Sequence, residues 1–276
     1  MNWDRNIPDN ETACVTFLAE IRWPKGFQCS CGSSDFYRLK SRPRVFECKV
    51  CKAQKSVTAG TLMHGTRVPL RTWFVAVVLM ARPNGLTAAE LQRRTDVHYD
   101  TAWQILHRLR GGLQEAKIQL RAPVTAGRYF VYFQGAWKSR FRKDPQFRSL
   151  VTYLIVDEQG TMAVTFHQLG PWPFRDMIKT HAPHLKTLPP IVRGLTNPAV
   201  KLGIRLKDRL QKVHQSVSVR WMRAYLMEFA TSISLPKTFA VELLKGTLHT
   251  AATSFTNFKN NRWYTAEQER WVTVIG

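Results

Sequence analysis

Cys29-Ser30-Cys31 and, sixteen residues further on, Cys48-Lys49-Val50-Cys51 form the stretch on which the reading of this chain turns. Two close cysteine pairs at that separation each offer two thiolates from one tight turn. Four thiolates make a tetrahedral zinc site, so the spacing predicts a zinc ribbon with structural Zn²⁺. The second pair has the usual Cys-x-x-Cys spacing. The first is one residue shorter, and Gly32 follows it, free to take the positive φ of a tight turn. The alternative is two unrelated thiol pairs in a reducing compartment. The strand-like alternation between the pairs argues against that. Cys14, among Ala13, Val15, Phe17 and Leu18, reads as a small buried hydrophobe.

Upstream, residues 9–22 have helical spacing, with Asn10 placed to cap them and Trp23-Pro24 to end them. Around the cysteines, strands are expected at 36–39, 44–47 and 56–58. The turn between the first two carries Lys40, Arg42 and Arg44, an exposed fingertip suited to phosphate contact. Downstream, the spacing predicts a helix over 70–82 that stops at Pro83-Asn84-Gly85. A second helix opens with Thr87 and Glu90 as a capping box. A third runs over 99–113 after a turn at Asp96-Val97-His98. A support helix followed by two helices on a brief turn is the helix-turn-helix pattern. Its second helix would present Tyr99, Asp100, Thr101, Gln104, His107 and Arg108 to a major groove, where Gln pairs with adenine and Arg with guanine or phosphate. The bland alternative is a three-helix packing unit with a polar face. Trp103 reads as core or support.

Charge supports a polyanionic partner. The 276 residues carry 41 Lys+Arg against 19 Asp+Glu, a formal net charge of +22. The excess is spread: 10 basic and 6 acidic side chains in residues 1–60, 9 and 4 in 61–122, 22 and 9 in 123–276. An even excess implies that every domain faces the same polyanion, rather than one basic tail. No apolar run approaches the roughly 18–20 residues that span a membrane. The N-terminus lacks a basic start and apolar core, so a cytoplasmic, nucleoid-associated protein with no membrane partner is expected.

In the second half, 128–133, 147–156 and 162–168 read as strands, with Asp157-Glu158-Gln159-Gly160 as a hairpin turn. Helices are expected at 200–210, 219–232 and 237–252. The run Lys138-Ser139-Arg140-Phe141-Arg142-Lys143 places four cations in six residues, which repel one another unless an anion lies nearby, so Lys138, Arg140, Arg142 and Lys143 join the candidate DNA contacts. His64, His181, His184 and His214 suggest no metal site.

Three phrases carry a resemblance: Glu20-Ile21-Arg22-Trp23-Pro24 through Phe27-x-Cys29, Ser56-Val57-Thr58-Ala59-Gly60-Thr61-Leu62-Met63-His64-Gly65-Thr66-Arg67, and Thr101-Ala102-Trp103-Gln104-Ile105-Leu106-His107-Arg108-Leu109-Arg110. Together they resemble the zinc-ribbon transposases of bacterial insertion sequences, of the ISXO type. The likeness is strong over residues 10–113 and weaker from Leu206 to Phe229. It implies an α+β multidomain chain: N-terminal helix and zinc ribbon (1–66), helix-turn-helix (67–122), a shortened ribonuclease-H-like α/β domain (123–252) and a tail (253–276). In that family three acidic residues of the ribonuclease-H-like domain hold two divalent metals that activate a nucleophile and stabilise the leaving oxygen.

Here the chain departs from the family it resembles. Tyr132 and Phe133 stand where the family's first acidic pair falls. The stretch Leu188 to Leu195, where the second is due, has no carboxylate, and Val200 takes the third position. Of the remaining acids of the second half (Asp144, Asp157, Glu158, Asp176, Asp208, Glu228, Glu242, Glu267 and Glu269) none reads as lying at a strand centre: Asp157 and Glu158 fall in a turn, Asp144 in a basic loop and Asp208 among cations. No catalytic residue is therefore expected, nor Mg²⁺. The expected function is sequence-specific double-stranded DNA binding by a transposase relative without its acidic triad, working with a partner or as a homodimer. The alternatives are an active two-metal transposase with displaced carboxylates such as Asp157, Asp176 or Glu228, and an RNA or single-strand adaptor using the aromatics of Phe255 to Trp271.

Overall fold

Asn10 opens the first helix as read: its Oδ1 accepts from the Ala13 N–H at 2.8 Å, and α1 runs Glu11–Arg22 before Trp23 ends it. The computed structural model describes residues 7–82, 84–113, 124–132, 149–159, 161–167, 197–214, 217, 219–251 and 273–274. They fall into two compact units, one of Met1–Arg82, Ala88–Gly112 and Ala240–Thr256, the other of Pro83–Thr87, Leu113–Phe239 and Asn257–Gly276.

In the first unit, β1 (Phe36–Arg38), β2 (Val45–Cys48) and β3 (Gln54–Ser56) form an antiparallel sheet in that order. The third strand lies two residues earlier than its alternation suggested. The Ser56 Oγ accepts from the Thr58 N–H and turns the chain, so that Val57 is buried by a turn rather than by a strand. Ten strand residues make too small a core to stand without a staple. Edge-to-face contacts of Trp23 with Phe27 and Phe46, at 5.6 and 5.1 Å, add to what there is.

The helices α2 (Leu70–Met80), α3 (Ala88–Thr95) and α4 (Tyr99–Gly112) follow. Nine of the 11 residues of α2 are buried, so it is the unit's central helix, and Phe17 of α1 meets its Phe74 edge-on at 5.5 Å. By contrast α3 buries only Ala88 and Leu91. Asp96, at φ 54, makes the left-handed turn into α4.

The second unit holds an antiparallel meander, β4 (Val124–Tyr132), β5 (Ser149–Asp157), β6 (Met162–His167) and β7 (Thr273–Val274). α5 (Pro198–Asp208) packs on β4 and β5, and α6 (Val219–Ser234) on β6. Asn197 caps α5 and Pro198 fills its first turn, which moves the start two residues ahead of the periodic pattern. One π turn, Arg209–Val213, continues it.

The last helix, α7 (Phe239–His249), departs from the expected grouping. From Ala240 onward it belongs with the ribbon and α2–α4, not with the domain expected at 123–252. The Leu62 N–H donates to the Thr247 carbonyl, Thr61 bridges to Ala251, and the backbones of Gly112 and Gly246 meet without room for a Cβ.

Candidate metal centre and nucleic-acid interface

Each cysteine pair sits in a knuckle closed by a left-handed residue. In the first, the Cys29 N–H donates to the Ser33 carbonyl and the Gly32 N–H to that of Cys29, with Gly32 at φ +86. In the second, the Cys48 N–H donates to Ala53 and the Lys52 N–H to Cys48, with Lys52 at φ 61. Gly32 therefore does what the shorter first pair requires. β2 brings the knuckles together. Cys29 Sγ lies 3.3 Å from Cys51 Sγ and Cys31 Sγ 3.6 Å from Cys48 Sγ, and all four sulfurs lie within 4.8 Å of one another. Zn–S bonds of about 2.3 Å in a tetrahedron set sulfurs about 3.8 Å apart, so the cluster fits a structural zinc ion. None of the five cysteines is in a disulfide.

Hydrogen bonds and the neighbouring sulfurs set the thiols apart from one another. The Cys31 N–H, followed by the Cys51 thiol, brings Cys29 down to about 6. The Cys51 N–H lowers Cys48. For Cys51 the Ala53 N–H favours the thiolate, but the sulfurs of Cys29, Cys31 and Cys48, together with desolvation, push it up to about 12. Four sulfurs this close hold several negative charges only around a cation.

The predicted DNA contacts divide. Lys40 and Arg42 are exposed at the fingertip, and Arg42 Nη2 donates to Gln54 Oε1 at 3.0 Å. Arg44 turns inward instead. It pairs with Glu11 at 2.5 Å and donates to the carbonyls of Thr66 and Val68, while Glu11 accepts from the Leu70 N–H at the start of α2. On α4, Tyr99, Asp100 and Gln104 are exposed and Thr101 is half-buried. His107 and Arg108 do not continue that face. His107 is 1% exposed, with its ring 4.0 Å from Trp103, and Arg108 is half-buried and donates to the Leu62 and His64 carbonyls. The loop at 62–64 covers the second half of the helix, which leaves only its first turns open. Lys138, Arg140, Arg142 and Lys143 lie outside the described residues.

One exposed feature was missed in the sequence. Tyr37 is 45% exposed, and the Lys49 and Lys52 ammonium groups stand 5.7 and 5.0 Å from its ring centroid. Lysines within a cysteine knuckle opposite a strand tyrosine were the signal.

Two carboxylates of the second unit, Asp157 and Glu228, are held by protein partners. Asp157 is buried at the end of β5 rather than in the turn, and its Oδ1 accepts from the Thr161 N–H at 2.7 Å. Glu228, 1% exposed, is ion-paired with Arg209. Among the described residues, the four cysteines form the one group of three or more side chains able to hold a metal. Asp144, Asp176, Glu267 and Glu269 lie outside the described residues. Among the described residues no helix is long and apolar enough to cross a membrane.

Residues 9–54 match the transposase zinc-ribbon domain. Over 140 residues the chain is 31% identical to an uncharacterized protein in transposable element ISH50 of Halobacterium salinarum. That match covers 49% of this chain and 46% of the relative, so the chain spans about half the length of the protein it matches. No solved structure matches it significantly.

Proposed function

We propose that this relative of insertion-sequence transposases, whose zinc-ribbon domain it carries at residues 9–54, is a sequence-specific double-stranded DNA-binding protein that has lost the acidic metal-binding triad. The observation that carries the reading is a zinc-stapled ribbon with exposed cations in one compact unit with α2–α4. In this reading α3 and α4, joined by the turn at 96–98, are the helix-turn-helix of a domain at 67–122. Tyr99, Asp100, Thr101 and Gln104 meet base edges, and Lys40 and Arg42 meet phosphates. The meander β4–β7 with α5 and α6 is the shortened ribonuclease-H-like domain, which serves binding, dimerisation or recruitment of a partner. The basic run 138–143 adds backbone contacts. Such a protein works at the nucleoid.

The test combines binding and cleavage. Purified full-length protein is incubated with genomic fragments and Mg²⁺ or Mn²⁺, bound DNA is sequenced, and the strands are run on a denaturing gel. Enriched, intact fragments are expected. Nicked or joined ends would instead mean a working two-metal site built from carboxylates placed otherwise than proposed.

A further inference from the structure

We infer that a cavity beside the fingertip seats one phosphodiester of a DNA strand together with its deoxyribose, an inference that rests on the DNA-binding reading above. The cavity, of about 500 Å³, lies wholly in the N-terminal unit. Arg42, Pro43 and Val45 line it from β2 and the turn before it, Thr58 and Ala59 from the turn after β3, and His64 from the loop beyond.

Its electrostatics follow from which charges are already spent. Arg44 and Glu11 also line the cavity, but they neutralise each other and are tied to the backbone at Thr66, Val68 and Leu70. That leaves Arg42 as the uncompensated charge on the wall. Its guanidinium donates one bond to Gln54 and keeps further N–H groups for an anion. His64 adds a neutral donor. Its Nδ1 accepts from the Gly60 N–H at 2.9 Å, so the ring proton sits on Nε2, on the opposite edge. The loop that holds this ring is set by two left-handed glycines, Gly60 at φ +74 and Gly65 at φ +68, and by the His64 N–H donating to Thr61. Open space around both glycines shows that they are needed for conformation, not for close packing.

Size and lining then select the ligand. The space is of the order that holds a small-molecule ligand, not a bare ion. Pro43, Val45 and Ala59 offer an apolar wall to a sugar, and no Phe, Tyr or Trp lines it to stack an unpaired base. A cation, a neutral N–H donor and an apolar wall without an aromatic plate match a sugar–phosphate unit.

The test uses full-length, zinc-loaded protein and a fluorescein-labelled mixed-sequence duplex, with affinity read by anisotropy at pH 8 across about 50–200 mM salt. Arg42→Ala is expected to reduce the slope of log affinity against log salt by about 0.9, the value of one lost phosphate contact. Arg42→Lys should restore it. His64→Ala is expected to weaken binding about threefold or more at every salt concentration with the slope kept, the behaviour of a lost neutral hydrogen bond. Zinc content and circular dichroism establish that each variant is folded. If wild type binds while Arg42→Ala and His64→Ala keep its slope and affinity, the cavity is not a DNA site. If wild type itself fails to bind the duplex, the DNA-binding reading falls, and the cavity assignment with it.

Discussion

At the scale of single residues, the zinc ligands make the sharpest statement. Cys48 is fully buried, in the strand that joins the two knuckles. Cys48→Ser is expected to abolish stoichiometric zinc and unfold the ribbon, read by colorimetric zinc release and circular dichroism. Each ligand must lose its proton to bind metal, so protons compete with zinc. Cys29, brought down to about 6, is already ionised at neutral pH, whereas Cys51, pushed up to about 12, gives up its proton only to the metal. Zinc affinity should therefore rise with pH, by about tenfold per unit for each proton displaced. A competition titration at pH 6 and pH 8 that gave equal affinities would defeat this. Arg44→Ala should cost about 2 kcal/mol in urea unfolding, because it leaves Glu11 and the Thr66 and Val68 carbonyls without their donor. The zinc set was legible in the sequence because ligands to one ion obey local spacing. Arg44 was not: its partner Glu11 lies 33 residues upstream, and nothing in a basic turn reveals which cation folds inward.

Elements are limited by how closely they approach. A Cβ built on Gly246 would lie 1.9 Å from the Gly112 carbonyl oxygen. Alanine is the better helix former by about 1 kcal/mol, but a clash of this kind costs about 1–3 kcal/mol or more. Clash outweighs propensity, so Gly246→Ala should destabilise, with a lower urea midpoint; a raised midpoint would mean that α4 and α7 do not meet there. In the other unit, Arg209 stands between the Glu228 carboxylate and the Ser232 hydroxyl. Arg209→Met leaves a buried charge unpaired and should cost about 3–5 kcal/mol, and adding Glu228→Leu should recover much of that. A double-mutant cycle measures the coupling, and simple additivity would refute it. Helix positions were largely legible, since Asn10, Pro198 and the apolar stripes are local signals. The placement of α7 was not. Its apolar face says that it is buried, but not against what, and the deciding contact is a pair of glycines that periodicity does not register. Nor was the pairing of Thr273 and Val274 with β6, because a two-residue strand has no pattern of its own.

For the whole molecule the question is whether a chain of net charge +22 can hold divalent cations in its second unit. Its charge was legible at once. How Asp157 and Glu228 are engaged needed coordinates. A two-metal site needs clustered negative charge to offset the cost of confining two divalent cations. Asp157 spends its carboxylate on a turn, and Glu228 on a buried guanidinium. Each would have to abandon a protein partner to bind metal. The consequence is thermodynamic and requires no DNA. A cation that binds the folded state stabilises it by mass action, by about 2.7 kcal/mol at a hundredfold excess over its dissociation constant. In a chain of this size that raises the melting temperature by several degrees, at about 2–4 °C per kcal/mol. Millimolar Mg²⁺ or Mn²⁺ is therefore expected to leave the melting temperature where sodium chloride of equal ionic strength leaves it, while a zinc chelator lowers it. A rise of several degrees with Mn²⁺ in wild type that vanishes in Asp157→Asn or Glu228→Gln would locate a divalent site in the second unit and overturn the proposed loss of the acidic triad.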